Sequence, residues 1–268
     1  VEGNRANGVM LSDGTRVRAR RGVVSNCTPY RTYLELLDPL PGAVGDYQRL
    51  IEKQNYECGS FKINLAVSEL PNFQCYPTED PAGIVAGPQH RGTIHFESRM
   101  EEIETAFREA SVGRPARRPV IEMTIPSSLD PTLAPPGKHV VQLFVQFAPY
   151  DVDPRVGSWR DPSFVREFVD RVYGIVDEFA PNFSSSILGE DILSPVALEE
   201  VFGLHKGNIF HGSMSLNQLL FCRPTIGSKG YVAPHLENLY ICGAGAHPGG
   251  GVMGAAGRNC AHTILRRK

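Results

Sequence analysis

Hydrophobic and polar positions alternate most cleanly at Phe61, Ile63, Leu65 and Val67, which interleave with Lys62, Asn64 and Ala66. A period of two predicts a strand with one buried face. Shorter apolar runs at residues 22–26, 93–96, 119–125, 140–147 and 239–242 predict further strands. Near the start, Asp13-Gly14 between Leu11 and Val17 predicts a hairpin. Helical spacing appears after Asp161-Pro162, where Phe164, Phe168, Val172 and Ile175 would form a core face in a helix ending near Phe179. Ser98 and Glu101 have capping-box spacing before a helix with Met100, Ile103, Ala106, Phe107 and Ala110 on one side. Thr28 caps a helix with Pro29 in its first position, running to about Leu37. A last, small-residue helix is expected over residues 252–267.

These elements divide the chain into three blocks, 1–46, 47–224 and 225–268. The fold class expected is α/β. The first and last blocks would build one Rossmann-like domain. The middle block would be an inserted α+β domain with a mixed sheet and helices on one side.

Composition narrows the function. The chain has 268 residues, 41% hydrophobic and 21% charged, with formal net charge −2. That balance gives no reason to expect nucleic acid. The clusters Arg16, Arg18, Arg20, Arg21 and Arg266, Arg267, Lys268 read as solvated edges. No apolar run reaches the roughly 20 residues of a spanning helix. The six cysteines show no C-x-x-C spacing, which favours a reducing compartment.

The chemistry concentrates near the end. The apolar run Leu239-Tyr240-Ile241-Cys242 leads into a turn with Gly243, Gly245, Gly249, Gly250, Gly251, Gly254 and Gly257. Strand, glycine turn and helix bring bare backbone and a helix N-terminus against a ligand. The same arrangement also serves packing alone. The spacing is neither G-x-G-x-x-G nor a P-loop, so the segment reads as closing a site begun elsewhere.

Four stretches carry a family resemblance. GAGAHPGGGVMGAAGRNCA (243–261) resembles the C-terminal flavin-contacting motif of the phytoene desaturase-like FAD-dependent oxidoreductases, distant relatives of the amine oxidases. GVMLSDGTRVRARRGVVSNCTP (8–29) resembles their hairpin and following strand. Residues 130–150 and 207–224 resemble segments of their substrate domain. The resemblance implies FAD as cofactor, contacted by Gly243, Ala244, Gly245, Gly251, Val252, Met253 and Ala256. It implies hydride transfer to flavin from a hydrophobic small molecule, and a mitochondrial location. The family's opening Rossmann strand and G-x-G-x-x-G turn have no counterpart here, and the chain begins on Val1-Glu2-Gly3-Asn4. A C-terminal fragment is therefore expected, holding FAD weakly by itself and self-associating through exposed surfaces. The alternative is a flavoenzyme-like fold serving as a protein-interaction or regulatory module with little redox activity.

Other residues are weighed by their surroundings. Phe144, Phe147, Phe210, Met214 and Leu219 are candidates for an apolar substrate or partner surface, or ordinary core. His247-Pro248 reads as a rigid turn, with a catalytic histidine as the alternative. His205 and His211 lack a carboxylate at ligand spacing, so no metal is expected. No protein nucleophile is assigned, since a flavin accepts hydride itself.

Overall fold

The computed structural model describes residues 1–80, 82–226, 228 and 230–267; the Lys268 of the C-terminal basic cluster lies outside them. In chain order the strands and helices are β1 (Gly8–Met10), β2 (Arg16–Arg18), β3 (Val23–Ser25), α1 (Gly42–Glu52), β4 (Phe61–Val67), β5 (Ile94–His95), α2 (Met100–Ser111), β6 (Val120–Thr124), β7 (His139–Gln146), α3 (Pro162–Asp177), α4 (Phe183–Ser186), β8 (Ile187–Leu193), α5 (Pro195–Phe202), β9 (Leu239–Ile241) and α6 (Ala255–Arg266). They form two compact units, one from Val1–Cys58 with Glu199–Lys268 and one from Gly59–Leu198. The limits differ from 47 and 224. The core of the second unit begins with β4, and α1 packs in the core of the first through Tyr47 and Ile51.

The second unit is a five-stranded sheet in the order β5-β6-β7-β4-β8. Every pairing in it is antiparallel, so the expected mixed sheet is corrected. The reason is topological. Strands β7 and β8 both oppose β4 and so run parallel to each other, with α3 in the connection between them. A crossover helix normally joins parallel neighbours; here β4 occupies the gap, and the two parallel strands never touch.

Alternation sets the burial. Phe61, Ile63, Leu65 and Val67 of β4 share one face with Val141, Leu143 and Val145 of β7 and with Ile121 and Met123 of β6. This face carries α3, through Phe168, Val169, Val172 and Val176. The Phe61 and Phe168 ring centroids lie 5.0 Å apart. Each large apolar side chain so buried contributes about 1.5–3 kcal/mol. Asp161 starts α3 by accepting hydrogen bonds from the Ser163 amide at 2.9 Å and hydroxyl at 2.7 Å.

Helix α2 departs from expectation. Its only buried residue is Ala106, while Met100 and Phe107 are exposed. The helix begins one residue later than the capping box assumed, at Met100. Glu102 therefore takes the role given to Glu101, and its carboxylate accepts from the Ser98 amide at 3.0 Å.

In the first unit, β1 and β2 form the expected hairpin, and Asp13 accepts from the Thr15 amide at 2.8 Å. Thr28 caps as expected, its hydroxyl accepting from the Arg31 amide at 3.0 Å. The short helix after β3 starts at Pro29, continues as a π-helix over Arg31–Glu35 and ends short of the expected Leu37. Strands β3 and β9 pair in parallel, with Val23 opposite Leu239 and Ser25 opposite Ile241. Their core includes Tyr33, Tyr47, Ile51, Leu239, Tyr240, Ile241, Ala256 and Cys260. Helix α1 was invisible in the sequence because glycines interrupt its first turns. Gly45 is needed there: a Cβ would stand 2.1 Å from the Leu40 carbonyl oxygen.

Candidate functional site

Because β3 and β9 are parallel, their carboxyl ends lie side by side. Each end runs into a turn and then a helix. The Cys242 amide donates to the Ser25 carbonyl at 2.9 Å, joining the strand ends. Beyond them the turns touch. A Cβ on Gly243 would lie 2.5 Å from the Asn26 carbonyl oxygen, and one on Gly245 2.4 Å from Pro29 Cδ. These two glycines let the turns approach. Gly243 and Ala244 are half-buried, Gly245 is buried, and Gly251, Val252 and Met253 are exposed.

Helix α6 begins after Gly254, which caps it in the left-handed conformation at φ +67. No side chain caps the helix, and its first turn holds no acidic residue. The first amide of this end to find a backbone partner is that of Arg258, which donates to the Gly254 carbonyl at 3.0 Å. Among the described residues the amides of Ala255, Ala256 and Gly257 have no acceptor, and they stand as donors at a positive helix end, a place that favours an anionic oxygen. Tyr231 holds turn and helix together: its hydroxyl donates to the His247 carbonyl at 2.7 Å and accepts from Asn259 Nδ2 at 2.9 Å. His247 itself is exposed and its peptide bond to Pro248 is cis.

The structure brings part of the apolar set to this turn. The Phe210 ring lies where a Cβ on Gly250 would come within 2.6 Å of it. The Met214 methyl is 3.3 Å from the corresponding point on Gly249. Leu219 is half-buried on the same loop, beside the buried Gln218. Phe144 and Phe147 belong to the other unit. Phe144 sits half-buried on the sheet face opposite α3, between Lys62 and Glu122 in the register. Phe147 follows β7 at φ +66, its ring 6.3 Å from that of Phe107.

Two groups here take roles that the sequence does not announce: Arg223 carries no strong signal, and His211 reads only as half of a metal pair. Arg223, 3% exposed, donates from Nε to the Ala244 carbonyl at 2.8 Å. Its position between Cys222 and Pro224, after an apolar run, is the one hint that its charge is buried. His211 is held at φ +63 with Nδ1 lacking a hydrogen-bond partner. Burial, and then the Arg223 charge, push its imidazole down to about 4. A cavity of about 10 Å³ lined by Tyr56, His211, Gln218 and Arg223 has room for one water. His205 is occupied otherwise, stacked on Tyr30 at 3.4 Å with Nδ1 3.2 Å from Glu199 Oε1. No cluster of three metal-ligating side chains occurs among the described residues. None of their helices is long and apolar enough to cross a membrane.

Parallel strand ends, a glycine turn and a helix start without a side-chain cap define this unit as part of an α/β fold. It is 46% identical over 266 residues to pyridine nucleotide-disulfide oxidoreductase domain-containing protein 2 of Rattus norvegicus, covering 98% of this chain and 44% of that protein. Phytoene desaturase (lycopene-forming) of a Paracoccus species is 24% identical over 96% of the chain and 46% of its own length. The chain is similar to both proteins along nearly its whole length and spans less than half of theirs. A crystal structure of an oxidoreductase from Methanosarcina mazei shares the fold, with TM-score 0.55 and 16% identity over 100% of this chain and 47% of that one. No protein-family model matches the chain.

Proposed function

We propose that the chain supplies the C-terminal part of the FAD site, and the substrate region, of an FAD-dependent oxidoreductase. The observation that carries this reading is the uncapped start of α6 beside the joined ends of β3 and β9, in a chain whose relatives are oxidoreductases. The residues present suit the cofactor. Free amides of Ala255, Ala256 and Gly257 offer donors to oxygen, Gly251, Val252 and Met253 expose backbone, and buried Ala256 keeps the helix start slim. Gly243, Ala244 and Gly245 set the position of that backbone. When bound, FAD would accept hydride from the substrate. This chain's part is to bind, orient and keep water from the ring.

The substrate in this reading is a hydrophobic small molecule. Phe210 and Met214 stand against the cofactor turn, and Leu219 lies on the same loop. Phe144 and Phe147 are the apolar candidates of the second unit, which is read as a substrate domain inserted in a cofactor-binding one. Purification of the protein from its complete reading frame tests the assignment. A visible flavin spectrum at one equivalent supports it; a colourless protein that takes up no added FAD rejects it.

A second reading rests on a specific observation. Leu216, Phe221, Ile226 and Val252 are 93%, 77%, 73% and 108% exposed. Large exposed apolar side chains mark interaction surfaces. As a protein-interaction module the chain would need no flavin, so the same spectrum separates the two readings.

A further inference from the structure

A buried arginine is normally neutralised by a carboxylate. Arg223 is not: among the described residues, burial and the Tyr56 phenol are what act on its charge. A guanidinium has five N–H groups, and all of them donate to backbone carbonyls. Nε bonds Ala244 at 2.8 Å, Nη1 bonds Ser213 at 3.2 Å and Gln218 at 3.1 Å, and Nη2 bonds Phe210 and, at 3.4 Å, Gly212. One acceptor lies in the glycine turn. Four lie in the loop that carries Phe210, Met214 and Leu219. A neutral amide and a water could satisfy such carbonyls without burying a charge. Carbonyl dipoles solvate the guanidinium but leave its net charge intact. The group nearest this junction feels it: His211, whose Nδ1 is 3.1 Å from the point a Cβ on Gly243 would occupy, is kept neutral in part by Arg223.

We propose that Arg223 is a positioning residue which locks this loop onto the glycine turn and places an uncompensated positive charge there, favouring the reduced form of a flavin held at the turn. The inference rests on the FAD reading above. A flavin that takes up two electrons and one proton gains one negative charge. A fixed cation close by therefore stabilises the reduced form more than the oxidised one. The electrons come from the substrate hydride in turnover and from dithionite in the test.

The test compares Arg223→Gln and Arg223→Lys with the wild type in the protein from its complete reading frame. NMR of labelled histidine follows His211, and a dithionite titration gives the flavin potential. In Arg223→Gln the His211 midpoint is expected to rise toward the ordinary imidazole value. The preference for reduced flavin should fall about tenfold, which is about 30 mV for a two-electron couple. Arg223→Lys keeps the charge and should keep most of the potential. An unmoved His211 midpoint overturns the electrostatic assignment, and bound flavin with an unmoved potential overturns its reach to the cofactor. If the wild type binds no flavin, the FAD reading fails and the His211 shift alone decides whether the charge acts at this junction. If Arg223→Gln does not fold, Arg223→Lys decides. With the fork lost, amide exchange at Ser213, which bonds the Asn55 carbonyl at 2.9 Å, should accelerate while the potential stays. Unaltered exchange or a collapsed potential overturns the proposal.

Discussion

Gly245 and Pro29 stand so close that a Cβ on Gly245 would lie 2.4 Å from Pro29 Cδ and 2.5 Å from Cγ. The contact joins the turn after β9 to the first residue of the helix after β3. It is a backbone-to-ring contact between two rigid partners, so neither gives way easily.

Gly245→Ala should therefore destabilise the protein by about 1–3 kcal/mol through overpacking. Gly257, on the exposed side of α6 with nothing within 4 Å of its missing Cβ, is the contrast. Gly257→Ala should stabilise by about 0.5–1 kcal/mol, because glycine is costly inside a helix. Urea midpoints of the two variants should move in opposite directions.

Phe168 of α3 lies between the Phe61 ring at 5.0 Å and the Trp159 ring at 5.2 Å. Phe168→Ala should cost about 3–5 kcal/mol. Chemical denaturation read through Trp159 fluorescence, the single tryptophan of the chain, measures it.

His211 makes stability depend on pH. Its folded-state value, about 4, lies below the ordinary imidazole value, 6.5. The unfolded chain therefore binds more protons between these values. The contribution is fully present above the unfolded value and is lost as pH falls toward 4, by up to about 3 kcal/mol. Asparagine tolerates the positive φ of this position. His211→Asn should flatten the fall in denaturation midpoint between neutral pH and pH 4, and an unchanged slope would assign it to other groups.

Gly251 is exposed at φ +128 in the turn that leads into α6. Gly251→Asp adds a strained side chain and a negative charge where an anionic oxygen is proposed to bind. Flavin retention should fall at least tenfold, read as the ratio of flavin to protein absorbance after gel filtration. Retention equal to wild type would remove this turn from the cofactor contacts.

Much of this was legible from local pattern. The alternation of Phe61, Ile63, Leu65 and Val67 marked β4 and its buried face, because a strand's period of two survives in any sheet. Asp161-Pro162 marked the start of α3, and Thr28-Pro29 that of the helix after β3, because cap bonds close within three residues. The glycines after Cys242 announced a turn where backbone comes close to something. The sequence by itself thus determined strands, caps and the position of the turn.

The tertiary structure decided the rest. Edge strand β8 has exposed Gly189, Glu190 and Asp191 at its centre, so it has no apolar signature and exists by pairing with β4. Helix α2 has apolar spacing yet exposes Met100 and Phe107, because spacing creates a face and only a neighbour buries it. Gly243 and Gly245 proved to face Asn26 and Pro29, more than 200 positions earlier in the chain. Arg223 looked like any arginine, and its five carbonyl partners come from two separate loops. Local pattern records bonds that close within a few residues; contacts across the fold leave no period in the sequence, and the packed structure alone fixes them.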